Sequence, residues 1–198
     1  MTSENSLSDY LDKFLDFLKV SFLTFVFSFT AWVIWASLII NTLNEGSLPI
    51  GSLIFFPNAA RVICICFFGF RAIPALYVAE IFGPEILFDN LYGYESYFTV
   101  FLSIMAVPAA LLLLRSIGFR FLESKSNFLD FRNYRHLLVV IIIAAAFNSI
   151  FVTSFLYLVN ESDISAAVTY RYFLGDIIGA VSVLLLLTFI HRTFKSFQ

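Results

Sequence analysis

Asn58, Arg61, Glu80, Glu85, Asn148 and Asp176 interrupt long apolar runs. Amides, a guanidinium and carboxylates are the groups that bind ions or small polar molecules, or that pair with one another. In lipid they are costly. A lone charge at the bilayer centre costs at least ~2.5–3.5 kcal/mol, so intramembrane ionisable residues turn inward, pair, and mark functional sites. Arg61 lies ten residues before Arg71, and Glu80 nine after it. With a turn near Gly69–Arg71 joining two helices, both charges sit ~14 Å from that turn, close to the bilayer middle. Equal depth and opposite charge let each offset the other's desolvation. Asn58 and Glu85 fall ~20 Å from the same turn. Asp176 opens the last apolar stretch at a similar level, and Asn148 lies between the two layers. These six residues are the expected ligand-binding set: a pocket opening outward, with the ion pair as its floor. The competing reading is scaffolding, in which the pair locks two helices and Asn148 ties helices together for about 1 kcal/mol.

The pattern does not point to catalysis. There is no phosphate-cradling glycine loop and no Ser/His/Asp set at a plausible spacing, so no enzyme is expected. Cys64 and Cys66 are two apart on an apolar helix and point to different faces, which indicates neither a disulfide nor a metal pair. His136 and His191 fall at the cytoplasmic ends of two apolar stretches. No carboxylate or cysteine motif accompanies them, so interfacial anchoring is expected, with no metal and no cofactor.

The elements that must position these residues follow from composition. The chain is 60% hydrophobic and only 13% charged over 198 residues, with mean hydropathy +0.90. Soluble domains carry about a quarter charged residues. So little polar surface cannot cover so large a core, and the missing solvent is lipid. The 26 phenylalanines, against two tryptophans, read as codon or lipid-packing bias rather than an aromatic cage. A net charge of −2 indicates no attraction to nucleic acid. The first residues are polar and acidic, and no small-residue cleavage site follows a short apolar core. The first apolar segment is therefore expected to remain as a membrane helix.

Spans of about 20 apolar residues are expected at residues 19–43, 50–70, 72–91, 96–116, 136–159 and 172–192. The fold class is all-α: a polytopic helical bundle of about six transmembrane helices, as one domain over residues 19–194. Segments two and three contain Pro57, Pro74, Gly83 and Pro84. Such breaks survive at membrane depth only where protein or a cavity satisfies the freed backbone, so both belong inside the bundle. Residues 1–18 place Leu7, Tyr10, Leu11, Phe14, Leu15 and Leu18 at helical spacing, with Asp9, Asp12, Lys13 and Asp16 between them. That is an amphipathic interfacial segment or a solvent-side extension of the first helix.

Orientation follows from lysine and arginine. Six spans gather Lys13, Lys19, Arg71, Arg115, Arg120, Lys125, Arg132, Arg135, Arg192 and Lys195 on one side, ten of the twelve basic residues. Both termini are expected in the cytoplasm, with the chain multi-pass in the membrane. Ala75, Ala79 and Gly83 form one small-residue face, and Gly175 and Gly179 form another. Such faces permit close backbone approach and are expected to pack on each other.

Three motifs belong together: "FFPNAA" (55–60), "GFRAIP" (69–74) and "YFLGDIIGAV" (172–181). With them the chain resembles the MASE-type family, membrane-associated sensor domains of type one. Gly69, Arg71 and Pro74 match that family's Gly-Arg-x-x-Pro-like turn, and Gly175, Asp176 and Gly179 its late Gly-Asp-x-x-Gly. Pro57 matches the Trp-Pro-x-x-Gly-like helix start, where Phe56 replaces the tryptophan and Ala60 the glycine. The resemblance covers about residues 50–190. It implies an integral membrane sensing module that acts here, without an attached output domain, through a separate membrane or cytoplasmic protein. Two other classes fit the same features: the substrate-binding subunit of a vitamin-type importer, and a structural subunit of a membrane complex.

Overall fold

The computed structural model describes residues 2–40, 52–87, 94–119, 131–160 and 165–196. Arg120 and Lys125, on which part of the orientation argument rests, lie outside them. The described residues form helices and connecting turns, with no strand among them. Helix α1 (Thr2–Trp35) continues through a π-type turn, Ala36–Ile40. It is followed by α2 (Pro57–Phe68), a short 3₁₀ turn (Gly69–Ala72), α3 (Ile73–Leu87), α4 (Tyr94–Ser116), α5 (Phe131–Asn160) and α6 (Ala166–Lys195). Because α1 is unbroken from Thr2, the amphipathic N-terminal segment is a direct extension of the first apolar helix.

Five stretches are long and apolar enough to cross a membrane: Asp9–Leu38, Pro57–Leu87, Ser96–Ser116, Arg135–Val159 and Ala166–Lys195. Their outer faces carry large exposed apolar side chains such as Phe22, Leu112, Ile150, Leu185 and Phe189. This is an all-helical, multi-pass membrane protein. The second stretch is not straight. Arg61 bonds to Glu80, nineteen positions on, whereas on one continuous helix the two would be ~28 Å apart. The chain therefore reverses at the Gly69 turn, where the backbone adopts φ 63° and ψ −146°, a conformation open to glycine. The two arms, 12 and 15 residues long, measure only ~18 and ~22 Å as helices.

The shorter arm gains length from residues 52–56, which precede it as non-helical chain. This segment lies between α1 and α6 and is tied to both. The Trp35 indole Nε1 donates to the Ile54 carbonyl at 2.5 Å, and the Phe55 amide donates to the Gly175 carbonyl at 3.0 Å. Its freed backbone groups thus find partners in protein, the condition for irregular chain at membrane depth. Pro57 then opens α2 at a position where its missing N–H is no loss.

Helix α2 is central. Every residue from Pro57 to Cys66 is buried, and α2 touches α1, α3, α4, α5 and α6. Around it α3 packs on α1 and α4, α4 on α5, and α5 on α6. Helix α1 presents Thr24, Ser28 and Ala31 inward, small side chains that permit this close approach.

The small-residue faces do not pack as expected. The α3 face meets α1: a Cβ on Gly83 would stand 2.8 Å from the Trp32 ring. Gly175 and Gly179 instead receive the chain at Ser52–Phe55, and a Cβ on either would overlap a backbone carbonyl, that of Ser52 or of Phe55. The physical reason is that a bare, non-helical backbone can settle into a glycine groove more deeply than a helix carrying side chains.

Candidate functional site

The site is built where the irregular segment becomes helix. Arg61 stands one turn into α2, and its guanidinium grips Glu80 of α3 through two parallel bonds. Nε donates to Oε1 at 2.5 Å, and Nη2 donates to Oε2. This forked geometry fits arginine and carboxylate and no lysine could reproduce it. The Phe55 ring lies under the guanidinium, 5.2 Å from Cζ to centroid, a cation–π contact strengthened by the burial of Arg61.

Two asparagines hold the third charged group. Asn58 Nδ2 donates to the backbone carbonyl of Asp176 at 3.2 Å. Asn148 Nδ2, from α5, donates to the Asp176 side-chain Oδ2 at 2.6 Å. Asn58, Arg61, Glu80, Asn148 and Asp176 are each at most 4% exposed. The charges of Arg61 and Glu80 act directly on Asp176, and Tyr172, one turn before Asp176, feels both Asp176 and Arg61. Helices α2, α3, α5 and α6 each contribute a polar side chain to one buried cluster.

Five of the six expected residues therefore converge. Glu85 does not. It is exposed and lines a shallow cavity of about 10 Å³ between α3 and α4, with Ile81, Ser96, Tyr97 and Val100. The reason is angular: five residues beyond Glu80, a helix has turned by about 140° from the same face. Depth alone does not place Glu85 around the axis. The cluster itself is closely packed rather than an open outward pocket, its members being almost fully buried.

Sequence reasoning missed Phe55, Trp35 and Tyr172 as partners of the cluster. Pro49, Gly51 and Ser52 ahead of Pro57 were a signal that the chain reaches α2 as irregular backbone. Among the described residues no group of three or more His, Cys, Asp and Glu gathers as a metal site. Cys64 and Cys66 are buried thiols, His136 packs edge-on against Phe119 at 4.9 Å, and His191 is exposed.

The chain matches no family model, no curated protein and no solved structure. The geometry nonetheless gives two of its motifs a shared physical role. Phe55–Ala60 supplies the irregular backbone and Asn58, and Gly175–Gly179 supplies the groove and the Asp176 carbonyl that receive them.

Proposed function

We propose that this protein is a bacterial inner-membrane sensory or ligand-binding module of the MASE type, acting through a separate protein partner. The observation that carries the reading is the buried cluster of Arg61, Glu80 and Asp176 around a broken span. Three ionisable groups on three helices are more than scaffolding needs, because apolar packing of similar volume is often as stable as a buried ion pair. Held next to irregular backbone, they form a junction that a small change in charge can rearrange. Discontinuous helices are used in this way to meet ions and polar substrates at membrane depth.

In this reading residues 52–68 make one crossing, the irregular residues 52–56 adding to the ~18 Å of α2, and α3 makes the return. Six crossings then place both termini in the cytoplasm. Reporter fusions at Lys125 and Gln198 should agree with each other and oppose one at Glu161. A C-terminal reporter on the outer side would sink this topology.

Function is tested by spin labels at Leu11 and Lys195, near the ends of α1 and α6, in the full chain in lipid nanodiscs. Distances should shift when small charged solutes or pH are varied, and the shift should vanish in a folded Glu80→Gln variant. Distances that never move, or that move equally in the variant, would make the cluster a scaffold. The closely packed cluster is the observation favouring that second reading, a structural subunit.

A further inference from the structure

The buried cluster brings together two carboxylates, Glu80 and Asp176, and one guanidinium, Arg61. Arg61 matches one of those negative charges by count, and the remaining one has no buried cation to match it among the described residues. A net charge at this depth is unfavourable, and the usual outcome for a buried ionised group is that it is neutralised. A second, independent observation shows where. The side-chain Oδ1 of Asn148, itself 3% exposed, is buried with no hydrogen-bond partner, while its Nδ2 rests on Asp176 Oδ2 at 2.6 Å. A lone buried acceptor costs about 1–3 kcal/mol, and this one lies on the amide already in contact with the carboxylate.

We propose that Asp176 and Asn148 form a binding site for one exchangeable monovalent cation, and that this cation is a proton. The inference rests on reading the cluster as the responsive site. With Asp176 ionised, the Asn148 Nδ2 donates to it. With Asp176 protonated, a half-turn of the amide presents Oδ1, and the carboxylic acid donates to that oxygen across the same short distance. The two ends of an amide are nearly the same shape, so the exchange needs no new space. A sodium ion would need several oxygens around it, whereas Asn58 and Asn148 meet Asp176 with their amide nitrogens. Among the described residues, the charged or titratable groups acting on Asp176 are Arg61 from α2, Glu80 from α3 and Tyr172 from its own helix. From α5 the neutral Asn148 bonds to it. Arg61 and Glu80 are joined by two bonds, whereas Asp176 is met by neutral amides, which makes Asp176 the member to take up and release charge.

Infrared difference spectra of the full chain in nanodiscs, recorded between mildly alkaline and mildly acidic buffer, test this directly. The carbonyl stretch of a protonated carboxylic acid should appear on acidification together with an amide band change. Both should be lost in Asp176→Asn, and in Glu80→Gln, which leaves Arg61 to match Asp176, they should appear only at lower pH. Asn148→Thr, which removes the amide but keeps a hydroxyl, should move the acid band and abolish the amide change. This variant decides the matter even where Asp176→Asn fails to fold. No acid band in the wild type, a band unchanged by Asp176→Asn, or a band unmoved by Asn148→Thr would each overturn the proposal. A carboxylate response to sodium but not to choline at fixed alkaline pH would replace the proton with an alkali ion and equally overturn it. These outcomes are independent of the spin-label distances: a proton bound without any movement of the helix ends leaves this inference standing and removes the sensory one.

Discussion

The backbone of Phe55 lies directly against Gly179, so closely that a Cβ there would overlap its carbonyl and stand 2.7 Å from its nitrogen. Four residues earlier, Gly175 meets the Ser52 carbonyl in the same way and accepts the Phe55 amide hydrogen bond. One face of α6 is thus a track for irregular chain, and Asp176, one position from the first glycine, is delivered to the cluster by that docking. The glycines and the buried charge form one construction.

Gly179→Ala should therefore destabilise the protein although alanine favours helix. Overpacking costs about 1–3 kcal/mol when side chains can move aside. Here backbone must move, so a loss at the upper end is expected, with Gly179→Leu worse. Thermal unfolding in detergent measures it, and unchanged stability in both variants would mean that residues 52–55 do not occupy the groove.

Trp35→Phe should keep most of the aromatic contact with Trp32 and Phe55 but lose the donor to the Ile54 carbonyl. A loss of about 1 kcal/mol follows from one hydrogen bond, and more from the carbonyl left unsatisfied. The diagnostic readout is limited proteolysis or labelling at residues 52–54, which should rise in Trp35→Phe. Protection equal to the wild type would show that the indole does not pin the segment.

Much of this arrangement could be read from spacing. Arg61 and Glu80 stand almost equally far from the Gly69–Arg71 turn, and a helix converts residue count into depth at a fixed rise. Their pairing followed from that alone. Depth says nothing of rotation about the axis, and Glu85 was misplaced for that reason: five residues beyond Glu80 on the same helix, it is turned by about 140° from that face. The destination of the glycine grooves was not legible at all. GxxxG states that something comes close, not whether it is a helix or bare backbone, and only the position of residues 52–56 between α1 and α6 decides it.

Glu85→Gln should be close to neutral. The side chain is exposed at the edge of α3, and surface substitutions away from special features stay within about 0.5 kcal/mol. The same change at Glu80 removes charge from a buried fork. Paired thermal-unfolding curves compare the two, and a Glu85→Gln loss as large as that of Glu80→Gln would return Glu85 to the buried cluster.

Removing either charge of the Arg61–Glu80 fork should hurt more than exchanging them. Arg61→Ala leaves Glu80, fully buried, without its guanidinium, and Glu80→Ala strands Arg61. Breaking a buried pair from one side typically costs about 3–5 kcal/mol, because the partner remains as an uncompensated charge. Arg61→Glu combined with Glu80→Arg restores neutrality at the same depth. It does not restore the Phe55 contact under the guanidinium, nor the positive charge on α2 that faces Asp176. Folded yield should therefore recover in part, with a coupling energy of about 0.5–3 kcal/mol across the double-mutant cycle. Additive losses would show that the two residues do not support each other. Full recovery of both yield and solute response in the exchanged protein would show that the fork is scaffold and that the side of the pair on which the charge sits is immaterial.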